Sequence, residues 1–567
     1  MSTKTSVHLG SYRFCVDEAL QKLKADRIMA RIWAKDHTLW KESCEGIGNR
    51  LNWLEAPQNM EEKIASIRPL AKEITAEGYT HAVLLGMGGS SLAAEVFLKT
   101  FGVKDGCPNL LILDSIDPAA IKDCERALDF SKTLFIVSSK SGTTIETISL
   151  LKYFYHRTID TLGRNQAGRH FVAITDSQSP LSAIANNYHF RATFYGDPNI
   201  GGRYSALAYF GLLPAVIIGV DMEPFVESAR SMMEQECLQI NNSAYLSEGA
   251  RLGTILGTMA LQGRDKATFL LSPRIASFGL WLEQMIAEST GKEGRGILPV
   301  VSEHWSSPDR YGNDRLFIFI GLRGNEQMIK HQSIAAGRAG HPVIVIILHD
   351  LYALGGQFFL WEMATSVAGY WLRVNPFDQP DVELSKKLVR QMLTTCRGEM
   401  SLPSDFSCAG SETLKIDNDM DTIKSKLGSF LRGAKPGAYI GLHAYIRQTG
   451  ETDELFRRLR GVLRDQLGLA ATVGYGPRFL HSTGQLHKGD SGNGLFIQLT
   501  ADDPEDISIP DEMDTRRSSI SFGALKARQA DGDRLALIHA GRRVIRLYLG
   551  GDALGALNRL VSSLEKD

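Results

Sequence analysis

A chain of 567 residues is too long for one hydrophobic core and predicts about three or four folding units. A formal net charge of -1 with 43% hydrophobic and 22% charged residues argues against a broad cationic face for nucleic acid or an anionic membrane, so any anion is held locally. Seven scattered cysteines without a CxxC pair read as reduced cytoplasmic thiols rather than a disulfide frame or zinc site, and no apolar run is long enough to span a bilayer.

From residue 17 to 54 the apolar side chains (Leu20, Leu23, Ile28, Ile32, Trp33, Leu39, Trp40, Leu51, Leu54) fall at helical spacing, which predicts a helical N-terminal region over residues 1–60. Between about 80 and 220, the runs HAVLLG, NLLILDS, TLFIVSS, HFVAIT and RATFY alternate with helix-length segments. Continuous apolar strands of this kind belong to a parallel sheet covered on both faces, so residues 61–235 read as a doubly wound α/β unit. ATFLLS, DRLFIFIGL and HPVIVIIL, with helices expected at 276–290, 356–373 and 381–396, predict a second unit of the same build over 236–400. The small polar stretch between Leu402 and Glu412 reads as a linker. Beyond it AYIGLHAYI, GLFIQLT and RRVIRLYLG, with helices expected at 419–432, 451–468 and 551–564, predict a third α/β or α+β module over 413–567.

Two polar loops carry the strongest chemical signal. GMGGSS (Gly86 to Ser91) and SSKSGTT (Ser138 to Thr144) each end a strand and open a helix, with Ser90 expected at the first N-cap. Unpaired N–H groups and the partial positive charge of a helix N-terminus suit an anion, so Gly88, Gly89, Ser90, Ser139, Lys140, Ser141 and Thr144 form a candidate phosphate clamp. The first loop alone imitates a dinucleotide fingerprint, with Asp114 as its acidic ribose ligand, but Ser91 replaces the third glycine and a second loop has no place in such a site.

Further along, Arg203 in NIGGRYS either pairs locally or stabilises an oxyanion. Glu288 ends the amphipathic WLEQMIAES, where the helix dipole opposes a carboxylate; it serves chemistry or pairs with Lys292 or Arg295. FDQPDVELSKKL begins a helix near Asp378 or Gln379, with Lys386 and Lys387 on it. GYGPRFLHSTGQLHKGD gathers Arg478, His481, His487 and Lys488, without metal-ligand spacing but suited to proton transfer.

Taken in order, GMGGSS, SKSGTT, GGRYS, AESTGK and FDQPDVELSK resemble phosphoglucose isomerase, and LHSTGQLHKG and WAKDHTLW resemble the isomerase half of bifunctional transaldolase/phosphoglucose isomerase fusions. No room is left for a transaldolase barrel. The resemblance implies two sugar isomerase (SIS) domains, a homodimer, no metal or organic cofactor, and reversible isomerisation of glucose 6-phosphate and fructose 6-phosphate through a cis-enediol. It implies Glu288 as the base between C2 and C1, Gln284 as a substrate ligand, Arg203 beside the enediolate and Lys386 as a ring-opening or orienting group. The family histidine for ring opening has no counterpart, since Arg315 stands in its place; His487 or His481 is the expected substitute. A non-catalytic sugar-phosphate sensor, and an isomerase that also accepts mannose 6-phosphate, are the alternatives.

Overall fold

The computed structural model describes residues 3–241, 246–324, 326–381, 412–416 and 419–566. The chain opens with strand β1 (Lys4–His8), then reaches a parallel sheet made of β2 (His81–Gly86), β3 (Asn109–Leu113), β4 (Thr133–Ser138), β5 (Phe171–Asp176) and β6 (Ala192–Gly196). Its order is β3-β2-β4-β5-β6. Val83, Leu85, Phe135 and Val137 face one core, while Ala82, Leu84, Leu134 and Ile136 face another. Both faces are therefore dry, which is why these strands read as unbroken apolar runs.

The order has a functional consequence. From β2 the chain moves to β3 on one side, and from β4 it moves to β5 on the other, so the connections diverge between two neighbouring strands. Gly86 pairs with Ser138 across that gap. Open parallel sheets bind ligands at such a switch point, beyond the carboxyl ends of the strands, and both polar loops start there.

A second sheet contains β7 (Lys266–Leu271), β8 (Leu298–Val300), β9 (Arg315–Leu322) and β10 (Val343–Leu348), all parallel, in the order β1-β10-β9-β7-β8. Strand β1 adds to its edge antiparallel, pairing Lys4 with Ile347. The N-terminal region thus begins as a strand before its helices Arg13–Ala25 and Ile28–Trp33. None of the residues of β1 is fully buried, which leaves it without an apolar signal.

The third sheet is parallel throughout: β11 (Thr413–Lys415), β12 (Tyr439–Tyr445), β13 (Ala470–Tyr475), β14 (Gly494–Thr500) and β17 (Arg543–Tyr548), ordered β11-β17-β14-β12-β13. The C-terminal module is therefore α/β. Between β14 and β17 lie a hairpin of β15 (Ser508–Ile509) and β16 (Ile520–Ser521) and the helix Phe522–His539. Ile507, Ile509, Met513, Phe522 and Leu525 of this segment enter the core on one face of the first sheet, so the module is packed onto the first unit. The expected linker before Glu412 and most of the expected 381–396 helix lie outside the described residues. Among the described residues no helix is long and apolar enough to cross a membrane.

Candidate active site

In the first loop the structure departs from the expected cap. Ser90 ends a short turn (Gly88–Ser90) and Ser91 holds the N-cap position of the helix Leu92–Phe101 without a side-chain cap bond. Gly88 has φ +56, and a Cβ there would lie 2.5 Å from His481 O and 2.9 Å from Gln284 Nε2. A Cβ on Gly89 would lie 2.3 Å from Gly202 O. Only glycine permits this backbone contact. The loop thus touches the Arg203 segment, the Glu288 helix and the C-terminal module at once.

The second loop sits beside it. Ser138 donates to Ser90 O at 2.9 Å, and Ser139 donates to Thr144 Oγ1 at 3.1 Å. Ser141 and Thr143 hydroxyls meet at 3.0 Å, and Gly142 turns the chain at φ +66. Lys140 pairs with Asp176 and donates to Pro198 O at 3.3 Å. Burial lowers its pKa, and Asp176 opposes that shift.

Glu288 lies in the last turn of the helix Phe278–Thr290, and its side chain is 13% exposed. It pairs neither with Lys292 nor with Arg295. Arg203 Nη1 lies 3.2 Å from its Oε1, and Gln284 Nε2 donates to its Oε2 at 2.9 Å. The arginine is itself held: Nε donates to Ser289 Oγ at 2.8 Å, Nη1 to Gln379 Oε1 at 3.1 Å, and Nη2 to the carbonyls of Pro376 and Asp378 at 2.8 Å each. A cation fixed on so many sides needs no reorganisation when negative charge develops next to it.

Lys292 is a participant that the sequence does not single out. It is 1% exposed, and its ammonium donates to Asn375 O, Asp378 O and Asp378 Oδ1 at 2.7, 2.6 and 2.7 Å. It thereby fastens the Asn375–Gln379 segment whose carbonyls receive Arg203. Burial, then the nearby Arg203 charge, bring its pKa down to about 8. Nothing in GKEG marks it out, because its partners come from a segment far along the chain. Lys386 lies outside the described residues.

The late histidines separate. His487 is 2% exposed, with Nδ1 3.0 Å from His443 Nε2, and His443 Nδ1 lies 3.3 Å from Asp533 Oδ2. The rings of Tyr439, Phe479 and Phe496 surround it. Burial, followed by the charges of His443 and Lys488, holds its pKa well below the usual histidine value. This ring is packed inside the C-terminal module, which corrects its expected place at the reacting end. His481 is the one at the cleft: its carbonyl accepts from Gln284 Nε2 at 2.7 Å and its Nε2 lies 3.0 Å from Glu146 Oε1.

Two other sequence signals resolve as structural. Asp114 pairs with Arg478 at 3.0 Å and accepts from Ser91 at 3.3 Å, so it anchors the C-terminal module instead of awaiting a ribose. Arg315, at the start of β9, is fully buried against Glu303 (2.9 Å) and Thr268 (2.8 Å). The contacts close a ring: Ser90 to Ser138, the second loop to Glu146, Glu146 to His481, His481 to Gln284, Gln284 to Glu288, Glu288 to Arg203, and the Arg203 segment back to Gly89.

A parallel-sheet α/β protein with two polar strand-to-helix loops beside a carboxylate–arginine pair is what this fold and site define. The family model for phosphoglucose isomerase matches residues 50–312. Among curated proteins it is 29% identical over 367 residues to the "Probable glucose-6-phosphate isomerase" of Methanococcus maripaludis, covering 56% of this chain and 80% of that one. It is 28% identical over 402 residues to the glucose-6-phosphate isomerase of Acholeplasma laidlawii, covering 62% and 92%. Among solved structures, a hypothetical protein of Thermus thermophilus superposes with TM-score 0.59 at 25% identity, over 69% of this chain and all of that one. A glucose-6-phosphate isomerase from Chlamydia trachomatis superposes with TM-score 0.56 at 19% identity, over 68% and 87%, and shows the shared fold.

Proposed function

We propose that this protein is an aldose-ketose isomerase that interconverts glucose 6-phosphate and fructose 6-phosphate through a cis-enediol intermediate. The observation that carries the reading is the Glu288–Arg203 pair beside the two loops. A proton on carbon next to a carbonyl is weakly acidic. Removing it calls for a placed carboxylate and a cation where the oxyanion forms.

In this reading Ser90, Ser139, Lys140, Ser141 and Thr144 hold the phosphate, with the backbone of Gly88 and Gly89 at the helix entrance. Binding energy gathered there, remote from the reacting carbons, orients the chain. Glu288 carries the proton between C2 and C1. Gln284 directs one carboxylate oxygen, and Arg203 faces the enediolate. Lys386 retains its expected part at the sugar ring. A sensor would need the clamp alone, and the built base–cation pair speaks against that alternative.

The test is a coupled assay from fructose 6-phosphate to glucose 6-phosphate on the full chain and on Glu288→Gln. The expected result is loss of turnover by at least about a hundredfold with sugar-phosphate binding retained. Equal activity in the variant would remove Glu288 from its role. A parent that binds the sugar phosphate without turning it over would return the protein to the sensor class.

A further inference from the structure

Lys140 and Arg203 each give their charge to a carboxylate of the chain, Asp176 and Glu288. Arg50, in the N-terminal region, forms no ion pair among the described residues. Its Nη1 donates to Asn49 O at 2.9 Å and to Pro198 O at 3.0 Å, and no acceptor for Nε or Nη2 is found among the described residues. Lys140 Nζ donates to the same Pro198 O at 3.3 Å. One carbonyl therefore holds an ammonium and a guanidinium side by side. The stem of Arg50 runs along the Arg203 turn, where a Cβ on Gly201 would lie 3.8 Å from Arg50 Cδ. The next residue, Gly202, supplies the carbonyl that lies against Gly89. Arg50 thus stands where the second loop, the Arg203 turn and, through Gly202, the first loop come together.

Its backbone is fixed on both sides. Ile47, Leu51 and Trp53 are fully buried. Leu51 bridges to Ile200, Asn52 N donates to Asn199 O at 3.2 Å, and Asn52 Nδ2 donates to Asp197 Oδ2 at 2.9 Å. Toward the other end a Cβ on Gly46 would lie 3.5 Å from Asn375 Nδ2 and 3.6 Å from Asp378 Cβ. Residues 46–53 therefore form a strap from the carbonyls that receive Arg203 to the mouth of the second loop. Half-buried Arg50 is held there before any ligand arrives, so little ordering opposes its use.

The charges favour an anion between the two cations. A phosphate monoester carries about -1.5 to -2 near neutral pH, whereas the Lys140 charge is already balanced by Asp176. Asp197 is engaged by Asn52 and by Asn199 N at 2.8 Å. Burial, with the Arg50 charge adding to it, disfavours the charged form of Lys140, while Asp176 and Asp197 act the other way. An anion that touches both nitrogens relieves their repulsion. Nε and Nη2 share one edge of the guanidinium, the planar fork that matches two phosphate oxygens.

We propose that Arg50 is a direct ligand of the substrate phosphate, meeting it with the free Nε–Nη2 edge, so that the N-terminal strap completes the site begun by the two loops. This rests on the isomerase reading for the identity of the phosphate bearer, but the binding itself is measurable without turnover.

The experiment uses full-length chains and two readouts: steady-state isomerisation by the coupled assay, and calorimetric binding of inorganic phosphate. Arg50→Ala is expected to raise KM for fructose 6-phosphate and Kd for phosphate together by about ten- to a hundredfold. Its kcat is expected to stay within about threefold of the parent. Arg50→Lys keeps the charge and loses the fork, and is expected to fall between the parent and Arg50→Ala in both readouts. Parent-like phosphate binding in Arg50→Ala would overturn the assignment. So would a fall in kcat at constant KM, which would leave the residue only a part in positioning the Arg203 turn. Phosphate binding that weakens in Arg50→Ala while the parent turns over no hexose phosphate would keep Arg50 as a ligand and overturn the isomerase reading instead. A parent that binds no phosphate would overturn both.

Discussion

Arg203 Nη1 lies 3.2 Å from Glu288 Oε1, while Nη2 of the same guanidinium donates to two backbone carbonyls at 2.8 Å. The arginine is thus divided between a structural edge and a chemical edge. The structural edge uses the Pro376 and Asp378 carbonyls, which Lys292 helps to hold, and the chemical edge faces the carboxylate. A lysine offers one compact charge and no planar fork, so it cannot serve both. Arg203→Lys is expected to lower kcat by about a hundred- to a thousandfold with a much smaller change in KM. Steady-state kinetics at a temperature where the variant is folded check this, and an unchanged kcat would remove Arg203 from the oxyanion.

Lys140 gives a contrasting outcome. Its ammonium is tethered by Asp176 and Pro198 O beside the loop hydroxyls, and the proposed function gives it the phosphate and not a reacting carbon. Charge-assisted hydrogen bonds are worth about 1.5–3 kcal/mol. Lys140→Ala is therefore expected to raise KM by about ten- to a hundredfold and to change kcat by less. It is also expected to weaken competitive inhibition by inorganic phosphate. A fall in kcat at unchanged KM would contradict a role confined to the clamp.

How much of this was legible in the sequence depends on what surrounds each element. Strands β2, β4, β9 and β10 are dry on both faces and announce themselves as apolar runs. Strand β1 lies at a sheet edge, and β13 (AATVGY) is built largely of alanine, threonine and glycine, so neither stood out. The helix Phe522–His539 escaped for a more instructive reason: Lys526, Gln529 and Asp533 are among its buried residues, and buried polar groups erase the amphipathic period. Those same residues join it to Asp117, Glu146 and His443. Glu288, Arg203 and the loops were visible as local oddities. The difference between His481 and His487 was not, because it depends on which ring faces Glu146 and which faces Phe479 and Phe496.

Glu236 gives a pH dependence of stability. It is fully buried, one oxygen accepting from Gly249 N at 2.8 Å and the other without a partner among the described residues. Burial pushes its pKa from 4.5 up to about 7. Between those values the folded state binds the proton and the unfolded state has released it, so stability is fully present below 4.5 and declines as pH rises toward 7. The shift corresponds to about 3 kcal/mol. Glu236→Gln keeps the acceptor for Gly249 and removes the titration. The variant is expected to gain stability relative to the parent at pH 8 and to gain little at pH 4.5, measured by denaturant unfolding at both. A difference independent of pH would mean that Glu236 is not protonated in the folded chain.

Arg315 occupies the position where the resemblance places a ring-opening histidine, and the structure assigns it different work. Its side chain is fully buried and Glu303 is 2% exposed, with Nη1 2.9 Å from Oε2 and the guanidinium 5.3 Å from the centre of the Tyr311 ring. Removing one member of such a pair leaves an uncompensated buried charge and costs about 3–5 kcal/mol, whereas replacing both by apolar residues of similar volume is often neutral. Arg315→Leu is thus expected to destabilise the protein by about 3–5 kcal/mol, and Glu303→Leu added to it to recover much of the loss. Turnover per folded molecule should stay near the parent value in both, because the partners of Arg315 are Thr268 of β7 and Glu303 and Tyr311 of the segment between β8 and β9, not the Glu288–Arg203 pair. The measurement is unfolding free energy together with kcat normalised to the folded fraction. A residue that donated a proton to substrate would behave in the opposite way, losing kcat in the single variant and failing to regain it when the second substitution restores stability.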